Sequence, residues 1–272
     1  MRVAVVGHVE WVEFVRVPRV PEAGSIVQAS EVWAEPGGAG AVAAIQLARL
    51  AGDALFLTAL GDDELGHRVL RDLSGRGVRV EAAFRDEPQR RAFTYVDDDG
   101  ERTITVLSHK LVPRGDDPLP WDELSSYDAV YFTGGDPEAV RRARNARVLV
   151  ATPRELETLQ AAGVQLDVLV GSARDEGERY EPGDLEPAPR IVVATEGRDG
   201  GSYESEEASG RFEATPVPGE LADTYGAGDS FAAALTFALA AGKPLDEALA
   251  FASAEGAKAM TRRGAHGRAE SA

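Results

Sequence analysis

The chain contains no cysteine, which removes disulfides, zinc–thiolate sites and cysteine nucleophiles from consideration. Lysine is scarce: it occurs only at Lys110, Lys243 and Lys258, and arginine supplies the rest of the positive charge. Acids outnumber bases, giving a formal net charge of −17 and a pI near 4.7. Nucleic acids and anionic membranes are recognised through basic patches, so neither is an expected partner. Long apolar runs are missing as well. No stretch approaches the ~18 apolar residues of a membrane span. The opening MRVAVVGHVEW has too short an apolar run for a signal peptide and no small-residue cleavage site. These absences lead to the expectation of a soluble, cytoplasmic protein. A phosphate-bearing ligand would have to be held by backbone N–H groups, a helix terminus, a metal or a few placed cations.

What is present is an alternating α/β pattern. The 272 residues are 43% hydrophobic, ample for one large core, and the length suits one α/β domain with an insertion. VAVVG (3–7), ALFLTAL (54–60), AVYFTG (129–134), VLVAT (148–152), VLVG (168–171) and IVVAT (191–195) read as buried strands. Helical patterns fall at 39–51, 63–77, 137–146, 154–163, 231–242 and 244–260. Apolar strands alternating with helices imply a mostly parallel sheet covered on both faces. Two segments differ. SIVQASEVWA (25–34) and RRAFTYVDDDGERTITV (90–106) mix polar and apolar positions, and the second carries an Asp99–Gly100 turn. They read as a small antiparallel sheet inserted into the larger body, with Asp97–Asp99 serving as turn residues.

Two glycine turns precede helices. In DTYGAGDSF (223–231), Gly226-Ala227-Gly228 exposes consecutive backbone N–H groups at the mouth of an apolar helix. Small side chains let an anion approach, and the helix dipole adds partial positive charge. Asp229 follows at the same mouth, where a carboxylate would repel phosphate unless it takes a proton from an attacking hydroxyl. The plainer alternative is an ordinary helix start. EPGGAG (35–40) also opens a helix. As a dinucleotide fingerprint it is weak, because the strand before it is amphipathic and is not the first. TEGRDGG (195–201) lies at the carboxyl end of a buried strand, where open α/β sheets bind ligands. The four histidines lack cysteine partners or paired helical spacing, so a metal site is not indicated by them. His8 follows the first strand toward the expected pocket.

Together these turns resemble the ribokinase-like (PfkB) family of carbohydrate and nucleoside kinases. The resemblance runs nearly the whole chain, on PGGAGAVAAIQLARLAG (36–52), YDAVYFTGGDPEAVRRA (127–143), TEGRDG (195–200), DTYGAGDSF, KPLDEALAFA (243–252) and MTRRGAH (260–266). It implies a single domain over 1–272, with a central mostly parallel sheet, helices on both faces and a small β lid from segments near 9–34 and 90–106. It also implies transfer of the γ-phosphoryl of ATP, with Mg2+, to a hydroxyl of a sugar or nucleoside-like molecule. By that match Asp229 is the base, and the Gly226, Ala227 and Gly228 turn stabilises developing charge. Thr195, Gly197, Gly200 and Ser253 lie along the nucleotide, and Gly37 and Gly38 along the acceptor. Asp223 helps hold a monovalent cation such as K+ in relatives that use one. Lids of two subunits clasp in many relatives, which makes a homodimer an expectation, with Trp33, Phe93 and Tyr95 as candidate surface.

The departures from the family pattern sit at two places. The sugar-binding asparagine is replaced by Val42, and the acid expected five positions after Gly7 is replaced by Val12, which leaves Glu10 as the substitute contact. The Asn-x-x-Glu motif that organises magnesium becomes Ser172-Ala173-Arg174-Asp175, leaving Asp175 as the metal-side acid. The valines predict a drier acceptor pocket. The altered motifs raise the alternative of a catalytically weak relative that binds a sugar or nucleotide as a sensor or interaction protein.

Overall fold

The structure is a computed structural model and describes residues 1–267. In chain order the strands are β1 (Val3–Val6), β2 (Glu10–Arg16), β3 (Glu31–Gly37), β4 (Ala54–Gly61), β5 (Val78–Arg85), β6 (Arg91–Val96) and β7 (Arg102–Val106), then β8 (Ala129–Phe132), β9 (Val148–Ala151), β10 (Val168–Ser172), β11 (Ile191–Thr195), β12 (Gly201–Ser205) and β13 (Ser209–Phe212). The helices are α1 (Gly38–Ala51), α2 (Glu64–Ser74), α3 (Pro137–Ala143), α4 (Leu156–Ala162), α5 (Ala227–Ala240) and α6 (Leu245–Ala259).

Among the described residues nine strands form the large sheet, in the order β13-β12-β11-β10-β9-β8-β1-β4-β5. All neighbours from β5 to β11 run parallel, and β12 and β13 add an antiparallel edge. The apolar runs β1, β4 and β8 are buried at every position, as a sheet covered on both faces requires. Alternate residues feed two cores. Val3, Val5 and Phe56 pack with α1, α5 and α6 on one face, while Ala4, Val6, Leu55 and Leu57 pack with α3, α4 and Trp121 on the other.

The second sheet has four strands in the order β3-β2-β6-β7. It consists of two antiparallel pairs, β2–β3 and β6–β7, but β2 and β6 pair in parallel. The insert is therefore mixed, not antiparallel throughout. Each pair arises from a separate excursion of the chain, and the strands that meet leave the body in the same direction. Its inner face carries Val12, Phe14, Ala92 and Val96, which close on Val42, Tyr225 and Trp33 in a small apolar core of their own. Phe14 stacks flat on Trp33 at 4.9 Å and meets Tyr225 edge-on at 4.9 Å, pairings worth about 0.5–1.5 kcal/mol each beyond burial.

Other sequence expectations also shift. The strand expected over 25–34 begins only at Glu31, because β2 ends at Arg16 opposite Glu31; Ser30 N still donates to Arg16 O at 2.9 Å, and the register goes no further. Ile26 is accordingly fully exposed. Strands β5, β12 and β13 lie at the two margins of the large sheet, where alternating or polar sequences replace apolar runs. The helix expected at 154–163 starts as a 3-10 turn, Pro153–Glu155, before α4.

Candidate active site

The carboxyl ends of β1, β8, β9 and β10 lead into His8, Thr133, Thr152 and Ser172, and α5 packs beneath them with its amino end at this edge. Gly226 is the residue before α5, with φ +72° and ψ +7° and no side-chain cap. A Cβ there would come within 2.9 Å of Val42 on α1. Glycine is thus required twice, for the left-handed backbone and for close approach. The amides of Gly228 and Asp229, in the first turn, have no acceptor among the described residues. They are open at the positive end of the helix dipole, where negative charge is favoured.

Asp229 is the third residue of α5. Among the described residues its carboxylate accepts no hydrogen bond and has no ion-pair partner. Its pKa is raised to about 6, first by burial and then by the negative charge of Glu178, with Arg102 and Arg154 opposing. The carboxyl is walled by protein on most sides yet keeps partial solvent access. It is desolvated enough to be a stronger base than a surface aspartate, and it remains reachable.

The acceptor side gathers against this mouth. Gly38 has φ +80°, and a Cβ on it would lie 3.1 Å from Glu10 and 3.4 Å from His8. Gly37 abuts the Tyr225 ring, whose hydroxyl accepts a hydrogen bond from Gly38 N at 2.9 Å. Glu10 is buried, and its Oε1 accepts from Arg90 Nε at 2.8 Å and lies 3.6 Å from His8 Nε2. Burial pushes its pKa up, but His8 and Arg90 together outweigh that and hold it low. Glu10 is therefore a fixed anion. His8 Nδ1 donates to Thr133 O at 3.2 Å, which turns Nε2 toward Glu10. Val42 and Val12 are 2% and 0% exposed. They fill the apolar core under the lid and support the turn at Gly226, with almost no surface left to meet a ligand.

On the opposite flank, Thr195 Oγ1 donates to Gly171 O at 3.3 Å, beside Ser172 in register. Gly197 (φ +63°) lies against the Arg174 guanidinium, and Gly200 against Phe212. Ser253 accepts from Thr215 N at 2.8 Å and donates to Glu213 O at 3.3 Å, so it hooks the 213–215 loop onto α6. Next to that hook is a cavity of about 410 Å³ whose lining includes Phe212, Thr215, Pro216, Leu249 and Ala250. Asp175 caps the turn Glu176–Glu178 by accepting from Gly177 N at 2.9 Å, and it also pairs with Arg154. Asp223 is fully buried, and its two oxygens accept from Tyr225 N at 2.9 Å and Gly264 N at 2.7 Å.

Four residues near the mouth escaped sequence reasoning. Tyr225 was in plain view inside DTYGAGDSF. Arg90 and Arg102 stand at the ends of the inserted hairpin, where arginine reads as a solvated charge. Glu178 sits in a loop without periodic signal.

A mostly parallel α/β sheet, a β lid and a glycine turn opening a helix on a free aspartate define a small-molecule phosphotransferase. The sequence matches the profile described as "pfkB family carbohydrate kinase" over residues 1–177 and 142–272. It is 33% identical to the ATP-dependent ribose-1-phosphate kinase of Halopiger xanaduensis, covering 97% of this chain and 94% of that one. It is 28% identical to the probable fructokinase-5 of Arabidopsis thaliana over 89% and 87% of the two chains. The fold is similar to ribokinase from Thermotoga maritima, with a TM-score of 0.78, 24% identity and coverage of 98% and 95%. It is also similar to Arabidopsis thaliana ribokinase complexed with ribose and ATP, with a TM-score of 0.73, 22% identity and coverage of 97% and 93%. The chain belongs to the pfkB family of carbohydrate kinases. It is an ATP-dependent phosphotransferase acting on a hydroxyl of a sugar or sugar-like molecule.

Proposed function

We propose that Asp229 is the general base of this kinase and that the acceptor is a pentose already carrying a phosphate. The observation that carries the first part is the unpartnered Asp229 carboxylate beside the free amides of Gly228 and Asp229. The acceptor hydroxyl gives its proton to Asp229 as its oxygen attacks the γ-phosphorus; the bond from that phosphorus to the β–γ bridging oxygen breaks and ADP leaves. The free amides of Gly228 and Asp229 meet the charge on the transferring oxygens, preorganised and partly shielded from water.

The acceptor lies between Gly37–Gly38, Glu10 and the inner face of the lid, with Ile104 and Val106 of β7 as apolar walls. Two features support a phosphorylated acceptor in a chain of net charge −17. Arg90 donates through Nε to Glu10, while its terminal nitrogens have no acceptor among the described residues. Arg102 reaches only Thr224 Oγ1, at 3.5 Å, and has no carboxylate partner among them. Guanidinium groups held this way suit bidentate phosphate recognition. The likeness to a ribose-1-phosphate kinase points the same way.

The nucleotide base fits the cavity beside Ser253, with the triphosphate passing Thr195, Gly197 and Gly200 toward the glycine turn. Bound Mg2+ would neutralise charge on the β and γ phosphates. No three acids or histidines cluster as a metal cage among the described residues. That agrees with a magnesium ion held by one or two carboxylates together with substrate phosphates. Asp223, with both oxygens tied to amides, shapes the turn beneath a site for a monovalent cation such as K+. A second copy would cover the outer lid face, where Val32 is 69% exposed beside Val15 and Tyr95. No helix among the described residues is long and apolar enough to cross a membrane, in keeping with a cytoplasmic enzyme.

A substrate panel tests the acceptor. Turnover with ribose 1-phosphate, ribose 5-phosphate, ribose, fructose and a nucleoside should favour a sugar phosphate, and Arg90→Gln should raise KM for that substrate far more than for a neutral sugar. Preference for a neutral sugar, with Arg90→Gln affecting all acceptors alike, would remove the phosphate reading.

A further inference from the structure

Two acids of the loop after β10, Asp175 and Glu178, differ in what they bond. Asp175 caps its own turn through Gly177 N and gives its other oxygen to Arg154, and its side chain is 42% exposed. Glu178, three residues on, folds back. Its Oε2 accepts from Ser172 N at 2.7 Å, at the last residue of β10, and its Oε1 accepts from Arg154 Nε at 2.9 Å. Its side chain is only 19% exposed. After burial, the negative charge of Glu178 does most to raise the Asp229 carboxyl. Arg154 thus pairs with both acids, but only the Glu178 carboxylate is drawn back to the carboxyl end of β10, through Ser172 N, where it is the less exposed of the two.

We propose that Glu178, and not Asp175, is the acid through which this chain engages the magnesium-bound triphosphate, with Arg154 and Ser172 N as its positioning partners. This rests on the kinase reading above. The chemistry is suitable, because each carboxylate oxygen keeps a second lone pair after its bond to Ser172 or Arg154. Magnesium retains most of its water shell, so a single rigid carboxylate beside the phosphates can engage it directly or through a bound water. Sequence spacing pointed to Asp175 because the Ser172–Asp175 stretch occupies the motif position. In the structure Asp175 is engaged in capping the 3-10 turn Glu176–Glu178, while Glu178 returns to the end of β10 at Ser172 N, and Arg154 holds both.

The test is metal binding to the full-length protein with ATP and without acceptor, using Mn2+ as the probe and electron paramagnetic resonance to count free ion. Glu178→Gln, which keeps an acceptor for Ser172 N, should weaken Mn2+ binding to the protein–ATP complex about 10- to 100-fold, the range for lost metal-shell partners. Metal-free ATP affinity should be unchanged. Asp175→Asn should leave the metal affinity within a factor of two. Glu178→Asp, which keeps the charge, should recover part of the loss even if the glutamine variant folds poorly. A large metal defect in Asp175→Asn with none in Glu178→Gln would overturn the assignment, as would equal defects in both. No acceptor is needed, so failure of the substrate panel and failure of this proposal are separate results.

Discussion

Helices α1 and α5 begin in nearly the same way and end up with different work. Each is preceded or opened by a glycine with positive φ, Gly38 at +80° and Gly226 at +72°, and neither has a side-chain cap. At α1 the first amide is occupied by the Tyr225 hydroxyl. The nearby buried acid, Glu35, accepts from Ala265 N at 2.8 Å and faces Arg76 at 3.9 Å. At α5 Ala227 N donates to Thr224 O at 3.4 Å, but the amides of Gly228 and Asp229 are open, and the Asp229 carboxylate accepts nothing among the described residues. Burial raises both acids, Glu35 to about 7 and Asp229 to about 6. A raised pKa therefore does not identify the base. The proposal for Asp229 rests instead on its lack of a hydrogen-bond partner at an open helix mouth, which Glu35 does not share.

The comparison breaks most severely if the α5 turn is rebuilt. Gly226→Ala forces a left-handed backbone on alanine, at about 1–2 kcal/mol, and presses its Cβ on Val42 at 2.9 Å. The amides then move, and turnover should fall about 10²–10³-fold, the loss seen when an oxyanion donor is removed. Steady-state kinetics alongside a melting curve checks this; turnover within a few-fold of the parent would show that the turn merely redirects the chain.

Glu35 sharpens the contrast through pH. Its folded pKa, about 7, lies above the ordinary 4.5, so the folded protein binds more protons than the unfolded chain between those values. Its contribution to stability is full below pH 4.5 and is lost as pH rises through 7, at most about 3 kcal/mol. Glu35→Gln keeps the acceptor for Ala265 N and should raise the melting temperature at pH 8 relative to the parent while leaving it little changed at pH 5. Turnover should stay close to normal. A variant with lost turnover and no change in pH-dependent melting would give Glu35 the role assigned to Asp229.

The smallest effect belongs to Tyr225→Phe, which removes the acceptor for Gly38 N. A single neutral hydrogen bond is worth about 0.5–1.5 kcal/mol, so KM for the acceptor should rise several-fold with kcat nearly unchanged. A fall in kcat of a hundredfold or more would place the tyrosine hydroxyl in the chemistry.

The sequence made some of this plain and hid the rest, for physical reasons. Strands buried on both faces must be apolar throughout, so β1, β4, β8 and β9 were readable, as was the helix carrying Phe231 to Ala240. The glycine turn was readable because few sequences need small residues and an acid together at a helix start. Strand β5 was not, because VRVEAAFR sits at a sheet margin and alternates like an exposed segment. The polar pair β12–β13 hid for the same reason. Val42 and Val12 were visible as departures, but only packing shows them closing the lid core. Glu178 was invisible because its role depends on a loop that folds back on Ser172 and on Arg154, twenty-four residues earlier in the chain. Pairings of that kind leave no period in a sequence.

The most direct measurement is the pH profile of turnover for the parent and for Asp229→Asn, with ATP affinity and melting measured on both. The asparagine keeps the size and the turn but cannot take a proton. The parent's kcat/KM should fall as pH drops through about 6, where Asp229 becomes protonated. Asp229→Asn should turn over about 10²–10⁴-fold more slowly at neutral pH, lose that acid limb, melt normally and bind ATP as well or better. Near-normal turnover with a lowered melting temperature, on an acceptor that the parent phosphorylates, would contradict the account and reduce Asp229 to a residue that starts a helix.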